Sequence, residues 1–129
     1  MARIATTAPP RVYSYAGCST CRKALAWLKQ QGITPELIDI TTTPPTKAEL
    51  QEALLQLGGR GRLFNTSGQS YRALGSARLK AMDDAEALAA LAADGRLIKR
   101  PLLITAAGRI TTGFKPEEWQ ALLTPAPGA

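Results

Sequence analysis

The sequence predicts an α/β domain: a mixed four-stranded sheet flanked by helices, with an all-helical insert. A strand–helix–strand pattern opens the chain, helical segments without strand signals fill residues 46–95, and two short apolar strands and a helix close it. A helical crossover makes the first two strands parallel in a right-handed unit, while a tight turn makes the last two a hairpin. The chain has 129 residues, 45% of them hydrophobic and 20% charged, enough for one packed core.

The ends, residues 1–10 and 124–129, are small and rich in Pro and Ala and are expected to be disordered, leaving 11–123 as the single domain. Residues 11–15 read as the first strand, and Gly17 as the tight turn after it. The first helix is expected over 20–31. Cys21, Ala24, Leu25 and Leu28 recur at helical spacing on one face, Arg22, Lys23, Lys29 and Gln30 are polar, and Gly32 is the stop. Ser19 and Thr20 are the capping residues. Residues 35–40 form the second strand.

A Thr/Pro turn over 41–46 leads into Thr46-Lys47-Ala48-Glu49, a capping box. The helix behind it runs to Leu57, with Leu50, Leu54 and Leu57 on one face, and Gly58-Gly59-Arg60-Gly61 ends it. Leu63 to Gly68 is a loop whose Asn65-Thr66-Ser67-Gly68 reads as turn chemistry before a short helix over 69–74. A strong helix is expected over 82–93, with Asp83, Asp84 and Glu86 as negative charges at its start and Leu88 and Leu91 inward. Lys99-Arg100-Pro101 precedes a strand over 102–105, residues 106–108 turn, and 109–112 return. The last helix covers 115–123, with Pro116 in its first turn. Trp27 and Trp119 read as core residues.

Two cysteines in one C-x-x-C pair, Cys18 and Cys21, do not make a disulfide framework; they read as a redox pair in a reducing compartment, hence a cytoplasmic protein. Histidine is absent, which removes Cys–His catalysis, Ser–His–Asp triads and His-ligated metals, and no further cysteine completes a zinc site except through a dimer; no metal and no bound cofactor are expected. No apolar run suffices for a membrane span. The net charge is +6, but the basic residues are scattered and aromatics make up 5%, so direct nucleic-acid binding is not expected. A monomer is expected.

The cysteines are placed for chemistry. Cys18 falls at a helix N-terminus, where free N–H groups and the macrodipole favour an anion. Arg22 and Lys23 add positive charge, and no acidic residue precedes Glu36. Each effect favours the thiolate, the reactive form of cysteine. Cys21, one turn later, is placed to attack an adduct on Cys18 and close a disulfide.

Four blocks in order carry a family resemblance: Tyr13 with Gly17-Cys18-Ser19-Thr20-Cys21-Arg22-Lys23; Phe64-Asn65-Thr66-Ser67-Gly68 with Tyr71-Arg72; Lys99-Arg100-Pro101-Leu102-Leu103-Ile104; and Gly113-Phe114. The chain resembles the arsenate reductase (ArsC-like) family, and more closely its Spx/YffB-like branch, over about residues 11–123. The resemblance implies a thioredoxin-like fold in which Pro101 is a cis-proline facing the cysteine pair. It also implies that Cys18 attacks a small oxyanion or thiol substrate, with glutathione, glutaredoxin or thioredoxin as reductant. Three arginines hold the oxyanion in these reductases. Arg62 stands where the first is expected, with Arg60 as a competitor, and Arg100 matches the second. Near the third, Lys115 offers charge without the guanidinium fork. Cys21 departs from the serine usual in glutathione-dependent members. It fits the branch in which C-x-x-C is a redox switch and some members bind the RNA polymerase α-subunit through a glycine of the insert, for which Gly58, Gly59 and Gly61 are candidates. The expected site is therefore Cys18, Cys21 and Arg100 for catalysis, with Arg22 and Arg62 stabilising thiolate or oxyanion.

Overall fold

Alternation along the strands decides the layering. Val12 and Tyr13 in β1 (Arg11–Ser14) are both buried, yet they face opposite sides of the sheet, as neighbouring strand residues do. Val12 packs with Ala24, Leu28, Leu103 and Trp119. Tyr13 enters a larger cluster with Leu50, Leu63, Leu91, Ile98 and Leu102.

The computed structural model describes residues 9–66 and 68–123. Residues 1–8, Ser67 and 124–129 lie outside the described part, and with them the disorder expected of both ends and one member of the Asn65–Gly68 block. Pro10, assigned to the tail by sequence, is buried, and its carbonyl accepts from the Glu36 amide at 2.8 Å.

After β1 come α1 (Ser19–Gln30), β2 (Glu36–Asp39), α2 (Lys47–Leu57), α3 (Gln69–Leu74), α4 (Ser76–Ala81), α5 (Asp84–Ala93), β3 (Leu102–Ile104), β4 (Ile110–Thr112) and α6 (Pro116–Leu123). Single 3-10 turns stand at Arg60–Arg62 and Gly95–Leu97. The strand order is β2-β1-β3-β4. β1 is parallel to β2 and antiparallel to β3, and β3 is antiparallel to β4. Helices α1 and α6 cover one face of this mixed sheet and α2 to α5 the other.

The insert departs from expectation in one place. The helix expected over 82–93 does not begin at Met82, whose backbone is extended and closes α4, a helix the sequence reading left out. Asp83 caps α5 instead: its carboxylate accepts from the Glu86 amide at 2.8 Å, while Glu86 accepts from the Asp83 amide at 3.0 Å. Thr46 and Glu49 form the box expected at α2. Gly58 ends α2 at φ 77°, a left-handed conformation that glycine adopts without strain. Gly95 meets a different demand. A Cβ there would lie 1.8 Å from the carbonyl oxygen of Ile40, so the chain leaving α5 passes the end of β2 where no side chain fits.

Candidate redox site

The antiparallel pairing of β1 and β3 brings the end of one strand to the start of the other. Tyr13 pairs with Leu102, and Tyr15 and Arg100 lie just beyond that pair. The turn Tyr15 to Cys18 closes with the Cys18 amide donating to the Tyr15 carbonyl at 3.0 Å. Cys18, not Ser19 or Thr20, is the N-cap of α1: its Sγ accepts from the Cys21 amide at 3.4 Å. A thiolate does this job well, because it meets one of the free N–H groups of the helix start.

The two sulfurs, both free thiols, differ in setting. Cys18 is half-buried at the mouth of the site, whereas Cys21 is 1% exposed on the inner face of α1 with Ala24 and Leu28. Burial pushes the Cys18 pKa up, but hydrogen bonds from the Cys21 thiol and amide, then the hydrogen bond and charge of Arg100, outweigh it and leave the Cys18 thiol below its usual range. Cys21 is pushed up to about 12, chiefly by burial and next by its hydrogen bond to Cys18. Of the two sulfurs, the outer one is thus the easier to ionise and the inner one the more firmly protonated.

Arg100 reaches the site from a braced segment. The Lys99 amide donates to the Leu63 carbonyl at 2.8 Å and the Asn65 amide to the Leu97 carbonyl at 2.7 Å, tying the strand entry to the insert. The Arg100–Pro101 peptide bond is cis. The Gly113 amide donates to the Pro101 carbonyl at 2.9 Å. The Arg100 guanidinium carbon lies 5.2 Å from the centre of the Tyr15 ring, in cation–π range. Its Nε, buried, has no hydrogen-bond partner among the described residues.

The other expected arginines stand elsewhere. Arg62 does not join the sulfurs by a hydrogen bond or ion pair among the described residues. Its Nη2 donates to the Glu118 carboxylate and to Thr111 Oγ1, each at 3.2 Å, and the Thr112 hydroxyl donates to the Arg62 carbonyl. That set fastens the 3-10 turn to β4 and α6, so the role expected of Arg62 beside a thiolate or oxyanion finds no support in its contacts. Arg60 is spent inside the insert, on Asp84 and the carbonyls of Leu79 and Met82. Arg22, exposed, donates to the Ala16 carbonyl at 2.8 Å and so steadies the cysteine loop; Arg100 is the cation that acts on Cys18. Phe114 is packed against Trp27 and Trp119, and Lys115 is exposed.

Sequence reasoning missed Tyr15. A tyrosine ending a strand reads as ordinary β propensity, and its partner Arg100 is 85 positions away in the chain. Gly17 lies in the turn expected of it, with a further reason the sequence did not show. The positive-φ glycines do not include Gly17; a Cβ there would instead strike the Tyr15 ring at 2.8 Å.

Among the described residues no group of acidic residues and cysteines could hold a metal ion, and no helix is long and apolar enough to cross a membrane. The ArsC family model matches residues 13–122. The chain belongs to the ArsC family. A crystal structure of a possible arsenate reductase from Streptococcus mutans is similar at a TM-score of 0.80 and 39% identity, covering 88% of this chain and 98% of that one. The uncharacterized YusI of Bacillus subtilis is 43% identical over 111 residues, 84% of this chain and 92% of YusI. The global transcriptional regulator Spx of Streptococcus pneumoniae is 31% identical over 107 residues, 82% of this chain and 79% of Spx. The thioredoxin-like fold of this ArsC-family chain is thus the one its sequence predicts.

Proposed function

We propose that this ArsC-family protein is a thiol–disulfide oxidoreductase that works through Cys18 and Cys21. The supporting observation is the division of labour between the sulfurs: a half-buried Cys18 favoured as thiolate beside Arg100, and a buried Cys21 that keeps its proton. The Cys18 thiolate attacks one sulfur of a disulfide substrate, forming a mixed disulfide and expelling the other sulfur as a thiolate. Cys18 then carries no charge and no longer accepts the Cys21 hydrogen bond. Two causes of the raised Cys21 pKa vanish at that moment, so Cys21 gives up its proton and attacks the Cys18 sulfur. The remaining half of the substrate leaves as a thiol, taking that proton, and the Cys18–Cys21 disulfide closes. Glutathione, glutaredoxin or thioredoxin returns the pair to two thiols. Arsenate is the other substrate class in this reading, with the unpartnered Arg100 Nε as a donor for its oxygen. The protein acts as a monomer in the reducing cytoplasm.

Purified protein assayed for arsenate turnover and for glutathione-disulfide reduction, with glutaredoxin and with thioredoxin, tests this directly, with Cys18→Ser as the blank. The expected result is turnover of one substrate that Cys18→Ser abolishes. In Cys21→Ser the mixed disulfide on Cys18 should accumulate and be seen by mass spectrometry. Activity retained in Cys18→Ser would overturn the proposal.

A second reading is a redox-switched regulator that binds the RNA polymerase α-subunit, favoured by the likeness to Spx together with the C-x-x-C pair. Retention of the α-subunit in a pull-down that depends on the Cys18–Cys21 redox state supports it; no retention in either state counts against it.

A further inference from the structure

Several arginines of the domain are held by carboxylates. Arg11 pairs with Glu49 at 2.6 Å, Arg60 with Asp84 at 3.0 Å and Arg62 with Glu118 at 3.2 Å. Among the described residues no carboxylate pairs with Arg100, and no hydrogen bond fixes its Nε. What the guanidinium does have is the face of Tyr15, 5.2 Å from the ring centre. A carboxylate would orient this cation and also neutralise it; an aromatic face orients it and leaves its charge available to a neighbouring anion.

Resting on the redox reading of Cys18 above, we propose that Tyr15 is a positioning residue: its ring holds the Arg100 guanidinium at the Cys18 sulfur, and Gly17 is glycine so that the ring can lie there. Three observations converge. Just beyond the last β1–β3 pair, Tyr13 with Leu102, the Arg100 guanidinium lies over the Tyr15 ring. The Tyr15 carbonyl takes the Cys18 amide, so ring and sulfur belong to one closed turn, which Arg22 steadies through Ala16. The ring also occupies the space that a Cβ on residue 17 would need, at 2.8 Å. Tyr15 is nevertheless 41% exposed, so it is not a core residue whose loss empties the interior.

The charged and titratable groups facing Cys18 are Cys21 from α1 and Arg100 from the entry to β3. The test is the pH dependence of Cys18 alkylation by iodoacetamide, measured on the full chain below pH 9, where Cys21 keeps its proton. Arg100→Ala should move the midpoint upward. Tyr15→Ala should move it the same way by about half a pH unit, the worth of one partly exposed cation–π contact. Tyr15→Phe, which keeps the ring, should match the parent protein. Gly17→Ala, which displaces the ring and leaves Tyr15 in place, should behave as Tyr15→Ala. Tyr15→Ala added to Arg100→Ala should have no further effect, because the ring acts through the guanidinium. An unmoved midpoint in both Tyr15→Ala and Gly17→Ala, with Arg100→Ala shifted, would overturn the proposal. So would a Tyr15→Phe midpoint as high as that of Tyr15→Ala. An Arg100→Ala protein with the parent midpoint would instead overturn the role of Arg100 on which the proposal stands.

Discussion

Cys21 is held as a thiol chiefly by burial. That has a consequence for stability. Its folded pKa of about 12 lies above the ordinary 9.0, so the folded protein keeps this proton when the unfolded chain has lost it. The stabilisation is complete below about pH 9 and is lost as pH rises from there toward 12. Under reducing conditions the urea midpoint of the parent protein should fall between pH 8 and 10.5 by more than that of Cys21→Ala. Parallel curves would show that the thiol is not held in this way. Cys18 has the opposite sign: its lowered pKa contributes stability above the unfolded value, and that contribution is lost as pH falls through the folded one.

Individual elements are clamped by single residues. Gln56 of α2 accepts from the Ile110 amide at 2.7 Å and donates to the Gly108 carbonyl at 2.9 Å, so it closes the outer edge of β4. Gln56→Ala leaves a buried amide unpaired, which costs about 1–3 kcal/mol, and exchange of the Ile110 amide should quicken markedly; an unchanged exchange rate would show that the clamp is idle. Gly95→Ala is the harsher change, because the new methyl meets backbone and no flexible side chain gives way. A loss of about 3 kcal/mol is expected in denaturant titration, and a stability equal to the parent would mean that the insert moves off Ile40 without cost. At α2, Thr46→Ala should cost about 1 kcal/mol by undoing the capping box.

For the molecule as a whole, the two faces of the sheet are unequal. The insert side carries the larger cluster, and the α1–α6 side rests on few residues, among them Val12, Leu28, Leu103 and Trp119. Trp119 is fully buried, stacks edge-on with Trp27 and Phe114, and donates its indole N–H to the Gly113 carbonyl at 3.0 Å. Trp119→Ala should cost about 3–5 kcal/mol. Because Trp119 packs under the helix that carries Cys18, the same variant should also broaden the NMR signals of α1 while leaving those of α5 sharp. Equal broadening in both layers would contradict this division.

What the sequence determined by itself is local. The strand–helix–strand opening, the capping box at Thr46, the short helix after Gly68 and the closing hairpin all depend on residues within a few positions of one another. So does the pairing of Cys18 with Cys21, one helical turn apart, and the anion-favouring helix start beneath it. Even the break at Met82 had a local signal, since Asp83 and Glu86 form a capping box of their own. The tertiary structure decided the partners of each arginine. Arg62 and Arg100 were both expected at the site, Arg100 the more firmly for its place before Pro101, and contacts distant in the chain set them apart. The β4–α6 side claims Arg62 through Glu118, while Arg100, just beyond the last β1–β3 pair, lies over Tyr15 at the mouth of the cysteine turn. A cation's usefulness to a thiolate depends on what else neutralises it, and that is a property of contacts between residues far apart in the chain.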